Sequence, residues 1–187
     1  MGQISSPRPV KLFTGVLTSL PEIIPEVERR LTALFGPIDE RSDDFPFDLT
    51  HYYDHEMGSP ITRCFLSFGA LISPARIATI KISTNSLESM FAAEYRQVCR
   101  PVNLDPGYLE EAKIVLASTK NFYHRVLVSD GIYGEVTLHF SRGSWHAFPW
   151  SFPDFRSGAY DEFFTRLRCI YRDQLKAAAN GENRTNA

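Results

Sequence analysis

The residues of this chain best suited to chemistry are Asp105, Lys120, His124, Arg125, Tyr133, Glu135, Thr137 and His139, which gather acid, base and cation in one stretch. Lys120 and Arg125 flank an expected turn into a strand, a position from which cationic groups reach an anion. Glu135, on the polar face of the following strand, can hold a water or a metal. On this reading Glu135, His124 and Asp105 are the candidate catalytic groups: Glu135 or Asp105 as base or metal carboxylate, His124 as proton donor. Lys120, Arg125 and Tyr133 are candidate ligand contacts. Each also has a plain structural reading. Asp105 can be a helix N-cap, Lys120 a solvated turn residue, Arg125 the partner of Glu135 across a hairpin, and Tyr133 or His139 a half-buried residue at a sheet surface.

Two further groups deserve the same weighing. The aromatic crossing Trp145 to Arg156, WHAFPWSFPDFR, adds Trp150, Asp154 and Arg156 as candidate ligand contacts, with rings to stack on a flat molecule and a guanidinium to supply charge. Its structural alternative is a proline-stiffened loop lidding a sheet, with Asp154 paired to Arg156. His51, Asp54, His55 and Glu56 place two histidines four apart beside carboxylates. The zincin pattern has Glu directly after the first His, which this segment lacks, and the flanking prolines and glycine indicate a loop, so no metal site is expected.

The elements that must position these groups follow from periodicity and punctuation. Val10 to Leu17 reads as a strand, Ser19 and Glu22 as a capping box before a helix ended by Gly36-Pro37, and Ile38 to Pro60 as a long loop with a partly buried aromatic side. Ile61 to Phe68 reads as a strand. Ser73-Pro74 opens a helix carrying Ile77, Ile80, Thr84, Leu87 and Phe91 on one side. Asp105-Pro106 looks like the start of another helix, with Tyr108, Leu109, Ala112, Val115 and Leu116 as its apolar stripe. Asp130-Gly131 and Arg142-Gly143 mark hairpin turns. Between them Gly134, Val136, Leu138 and Phe140 alternate with Tyr133, Glu135, Thr137 and His139, one face core and the other polar. The last helix carries Tyr160, Phe163, Phe164, Leu167, Ile170, Tyr171 and Leu175. The expected fold is therefore α+β, a two-layer sandwich of a mainly antiparallel sheet with helices on one face.

With 187 residues, 43% of them hydrophobic, the chain can bury a sizeable core as one domain, 1–187, with a loose lead-in over 1–9 and a disordered tail over 177–187. A formal charge of -2 gives no global field toward nucleic acid or an anionic membrane, and no apolar run is long enough to span a bilayer. Three scattered cysteines suit a reducing compartment, so a soluble cytoplasmic protein is expected. Walker, dinucleotide, nucleophile-elbow and Cys-x-x-Cys signatures are absent from the sequence, and no cofactor follows from it.

Over nearly its whole length, Lys11 to about Leu175, the chain resembles a family of uncharacterised bacterial proteins, domain of unknown function 4416. The resemblance is carried by KLFTGVL, by FGPID with FPFDLTHYYDHEMG, by RCFLSF, by VNLDPGYL with KIVLASTK and HR, by GIYGEVTL and by PWSFPDFRS. His51 and His55 depart from the family pattern, in which acidic residues are more usual. The resemblance implies small soluble bacterial proteins and carries no activity. From the residues, the favoured reading is a small-molecule-binding domain or enzyme acting on an anionic ligand, phosphorylated or nucleotide-like. The alternative is a protein-interaction module using aromatic loops and a sheet edge.

Overall fold

The computed structural model describes residues 2–185. Nine strands form one antiparallel sheet: β1 (Val10–Thr18), β2 (Ile38–Arg41), β3 (Phe45–Pro46), β4 (Thr62–Ile72), β5 (Asn103–Leu109), β6 (Lys113–Ser118), β7 (Val126–Ser129), β8 (Ile132–Ser141) and β9 (Ser144–Ala147). Their order is β2-β4-β1-β5-β6-β8-β7, with β3 also against β4 and β9 against β8. Five helices accompany them: α1 (Ile24–Phe35), α2 (Asp54–Met57), α3 (Ile77–Glu94), α4 (Pro153–Arg156) and α5 (Asp161–Thr185). The fold is α+β, as the sequence indicates. Among the described residues no helix is long and apolar enough to cross a membrane.

The layering differs from the expected one, because helices cover both faces of the sheet. Val10, Leu12 and Val16 of β1 and Cys64, Leu66 and Phe68 of β4 pack with Val27 and Leu31 of α1 and Ile80, Leu87 and Phe91 of α3. The alternate residues Phe13 and Phe65 pack instead with Phe155 of α4 and with Phe163, Phe164, Leu167 and Tyr171 of α5. Phe65 stacks on Phe163 at 5.5 Å between centroids and meets Phe164 and Tyr160 edge-on, so α5 is fixed by ring packing. The stripe read on α3 is buried in full. Of the face expected for the last helix, Tyr160, just before α5, and four residues of α5 are buried too. The helix runs on through Thr185 past the start of the expected tail, whose residues 186–187 lie outside the described ones.

Covering both faces explains a second correction. The expected helix after Asp105-Pro106 is the β5–β6 pair, turned at Glu110, whose N–H donates to the Lys113 carbonyl oxygen. Asp105 is therefore not an N-cap. A strand buried on both sides loses its alternation and presents a near-continuous apolar run, which three- and four-residue spacing fits equally well. The third correction concerns β8. A register shift opposite Ile114 and Val115 leaves Thr137 as an extra residue in the β6–β8 ladder. Glu135 and Thr137, expected on an exposed polar face, are buried, whereas Val136, expected in the core, is exposed. The capping box is absent as well: Ser19 donates instead to the carbonyl oxygen of Met57. The long loop contains β2, β3 and α2, and its Phe47, Tyr53 and Met57 pack with Leu17 and Ile61.

Gly107 allows the closest approach in the sheet. A Cβ there would lie 2.6 Å from the Val115 carbonyl oxygen and 2.8 Å from both Leu116 Cδ2 and Phe13 Cζ. Gly107→Ala is expected to destabilise the protein by an amount at the upper end of the roughly 1–3 kcal/mol typical of overpacking, read from urea unfolding.

Candidate functional site

The β5–β6 ladder is only three pairs long, Gly107↔Leu116 to Leu109↔Ile114. Before Gly107, β5 pairs only with β1, and a cavity of about 100 Å³ lies against the parted strands. Parting strands leave main-chain groups that must find other partners. Two side chains of α3 supply them: the Leu104 carbonyl oxygen accepts from Lys81 Nζ at 2.7 Å, and the Leu104 N–H donates to Glu88 Oε1 at 2.8 Å. Glu88 Oε2 in turn accepts from Arg100 Nη2 at 3.0 Å, and Arg100 Nη2 also bonds Asn103 Oδ1. Asn103 Nδ2 donates to Asp105 Oδ2 at 2.8 Å.

The floor of the cavity holds Arg63 of β4. Its side chain is 5% exposed, and its guanidinium makes no hydrogen bond among the described residues; Nε and Nη1 are fully buried without a partner. The nearest carboxylates are Asp154, with Oδ2 3.2 Å from Nε, and Asp105, with Oδ2 3.7 Å from Nη2. Burial opposes the charge, but Asp154 and Asp105 outweigh it and raise the guanidinium's pKa. Phe47, Phe65, Phe155 and Tyr160 surround the cation with ring centroids 5.1 to 6.0 Å away. Gly15 makes room for it, because a Cβ there would meet Arg63 Nη1 at 3.1 Å. Asp154 Oδ2 is also held by the Tyr160 hydroxyl at 3.1 Å.

At the other wall Glu135 Oε2 accepts from Arg125 Nε at 2.8 Å and lies 2.9 Å from His124 Nε2. Arg125 Nη1 donates to Ser118 Oγ at 2.9 Å and to the Lys120 carbonyl oxygen at 3.1 Å, which pins the guanidinium at the cavity wall. Lys120 Nζ reaches the Tyr52 hydroxyl at 2.7 Å.

Of the residues singled out in the sequence, Asp105, Lys120, Arg125 and Glu135 line the cavity together. His124 stands behind Glu135, its ring stacked on Trp150 at 5.6 Å. Trp150 donates its indole N–H to the Val136 carbonyl oxygen. Asp154 lies buried beneath Arg63, whereas Tyr133 and the exposed Arg156 stand outside the lining. Asp154 pairs with Arg63 and not with Arg156. His51 Nδ1 meets Asp54 Oδ2 at 2.8 Å on an exposed surface, and among the described residues no group of three or more His, Cys, Asp or Glu is arranged to hold a metal.

Sequence reasoning missed Arg63, Lys81, Arg100, Asn103 and Tyr53, all of which line the cavity. A signal for two of them was present. Arg63 stands in the apolar run ITRCFLSF, and Lys81 follows Ile80 on the buried side of α3. A charge in such a place must be paired or must meet a ligand.

Two outcomes test this geometry. Asp154→Ala removes the nearest countercharge of a buried cation and is expected to cost about 3–5 kcal/mol in urea unfolding. The Glu88 side chain is largely but not fully removed from water, at 13% exposure, and that desolvation raises its carboxyl pKa although Lys81 opposes the shift. A carboxyl with a raised folded pKa binds more protons folded than unfolded. Its contribution to stability is therefore full below the ordinary value of about 4.3 and is lost as pH rises through the folded pKa. A carboxyl NMR titration should place the Glu88 midpoint above that ordinary value, and one at or below it contradicts the burial.

The chain belongs to the family described as Domain of unknown function (DUF4416), whose model matches residues 8–171. Neither a curated protein nor a solved structure matches the chain.

Proposed function

We propose that this DUF4416 protein binds a small anionic molecule, phosphorylated or nucleotide-like, in the cleft where β5 and β6 part. The observation that carries this reading is Arg63: a buried guanidinium that faces a cavity and forms no hydrogen bond among the described residues. A buried donor without a partner costs about 1–3 kcal/mol, more when charged, and an anion in the cavity offsets that cost. Arg63, Lys81, Arg100, Lys120 and Arg125 line the space against two lining carboxylates, Asp105 and Glu135, with Glu88 and Asp154 behind them. Arg63 and Arg100 meet the anion inside and Lys120 and Arg125 at the mouth. Asp105 is the carboxylate placed to accept a proton from a bound group, so the site suits a binding protein or an enzyme. The free thiols of Cys64, Cys99 and Cys169 accord with a cytoplasmic location.

A second reading, a protein-interaction module, is favoured by the edge strand β7. Its Val126, Leu127 and Val128, with Phe122 and Tyr123 before them, are exposed large apolar side chains. A photocrosslinking amino acid incorporated in place of Leu127 in cells that gives no protein adduct contradicts this second reading.

The first reading is tested by thermal unfolding against inorganic phosphate, sugar phosphates and nucleotides. A ligand at a hundred times its Kd stabilises by about 2.7 kcal/mol, and Arg63→Met should remove the shift while Arg125→Ala reduces it. A flat response of the folded wild-type protein across the series contradicts the reading.

A further inference from the structure

The size of the cavity and the unequal engagement of its two carboxylates narrow the ligand class, on the premise that the cleft binds an anion. At about 100 Å³ the space is smaller than the roughly 150 Å³ void that accepts a benzene ring. A phosphate or carboxylate group enters it, and a purine ring has to remain outside. Glu135 is 2% exposed and already engaged, with Oε2 held by both Arg125 and His124 and Oε1 3.4 Å from Thr137 Oγ1. It is a positioning residue that fixes Arg125. Asp105 is different. Its Oδ2 takes Asn103 Nδ2, whereas Oδ1 has no hydrogen-bond partner among the described residues, on a side chain that is 26% exposed and lines the cavity.

An anion on Arg63 lies close to the Asp105 carboxylate, because Oδ2 and Arg63 Nη2 are 3.7 Å apart. Two anionic groups side by side repel unless a proton stands between them. We infer that the ligand is a small hydroxylated oxyanion, in which a phosphate or carboxylate group meets Arg63 and a hydroxyl of the same molecule donates to Asp105. Any base or larger group projects past Lys120 and Phe152, which also line the cavity. The site on this account selects by a pair of opposite demands, one cation for the acid group and one acceptor for the hydroxyl beside it.

The test is calorimetric titration of the full chain with two matched pairs of probes, glycerol 3-phosphate against propyl phosphate and glycerate against propionate. In the pair whose anionic group the site accepts, the hydroxylated member should bind tighter by roughly tenfold or more, the range of a hydrogen bond to a charged group. The accepted pair identifies the acid group as phosphate or carboxylate. Asp105→Ala, with its fold checked by circular dichroism, should weaken the hydroxylated probe and strengthen the plain one, because it removes both an acceptor and a repelling charge. A general loss of packing would weaken both. Equal wild-type affinities within the binding pair, or an Asp105→Ala variant that keeps the preference, overturn the hydroxyl contact and leave the anion reading standing. No binding of any of the four probes, in heat or in thermal shift, overturns the hydroxylated-oxyanion inference, and a flat thermal response across the full phosphate, sugar phosphate and nucleotide series overturns the anion reading with it.

Discussion

A guanidinium held away from water is the constraint on which the rest of this structure depends. Arg63 stands on a central strand, over Gly15 and among four aromatic rings, and neither of its nearest carboxylates is placed to accept a hydrogen bond from it. Removing a cation from water is costly, and countercharge repays that cost only when the remaining donors are satisfied. Phe47, Phe65, Phe155 and Tyr160 keep water off the guanidinium, Asp154 offsets its charge from below, and the cavity leaves it one open direction.

That opening exists because the sheet does not close. β5 follows β1 along its whole length but stays with β6 for only three pairs. Lys81 and Glu88 of α3 take over the hydrogen bonds that a neighbouring strand would have made, and Glu88 passes the connection on through Arg100 and Asn103 to Asp105. The polar lining is thus part of the support of the strand as well as of the cavity. The bulge in β8 completes the wall by turning Glu135 inward, where it fixes Arg125. Side chains from α3, β4, β5 and β8 meet at one point, which explains why the cleft is built from residues far apart in sequence.

Much of this was legible in the sequence wherever local physics decides the outcome. The buried stripe of α3, the aromatic face of α5 and the two hairpin turns at Asp130-Gly131 and Arg142-Gly143, where the backbone adopts positive φ, all follow from spacing and turn chemistry. Asp105, Lys120, Arg125 and Glu135 stand out in the sequence as a group and line the cavity together, although Asp105-Pro106 looks like a helix start and is part of a strand. The misread parts share one cause. Periodicity reports one buried face, and β5 and β6 have two; alternation reports a regular strand, and β8 contains an extra residue. Arg63 and Lys81 are not legible as site residues because a charge inside an apolar run gives no indication of which distant residues it meets.

The central claim is that the Arg63 guanidinium is an anion receptor and not a buried structural cation. The most direct measurement is the 15N–1H resonance of Arg63 Nη2, the guanidinium nitrogen nearest the cavity-lining Asp105, assigned by comparison with Arg63→Lys and followed through a titration with inorganic phosphate at constant ionic strength. The account predicts that this signal shifts with saturation and that its exchange with water slows as an acceptor arrives. An Nη2 signal that holds its position and exchange rate, while phosphate moves only resonances of the exposed surface, contradicts it.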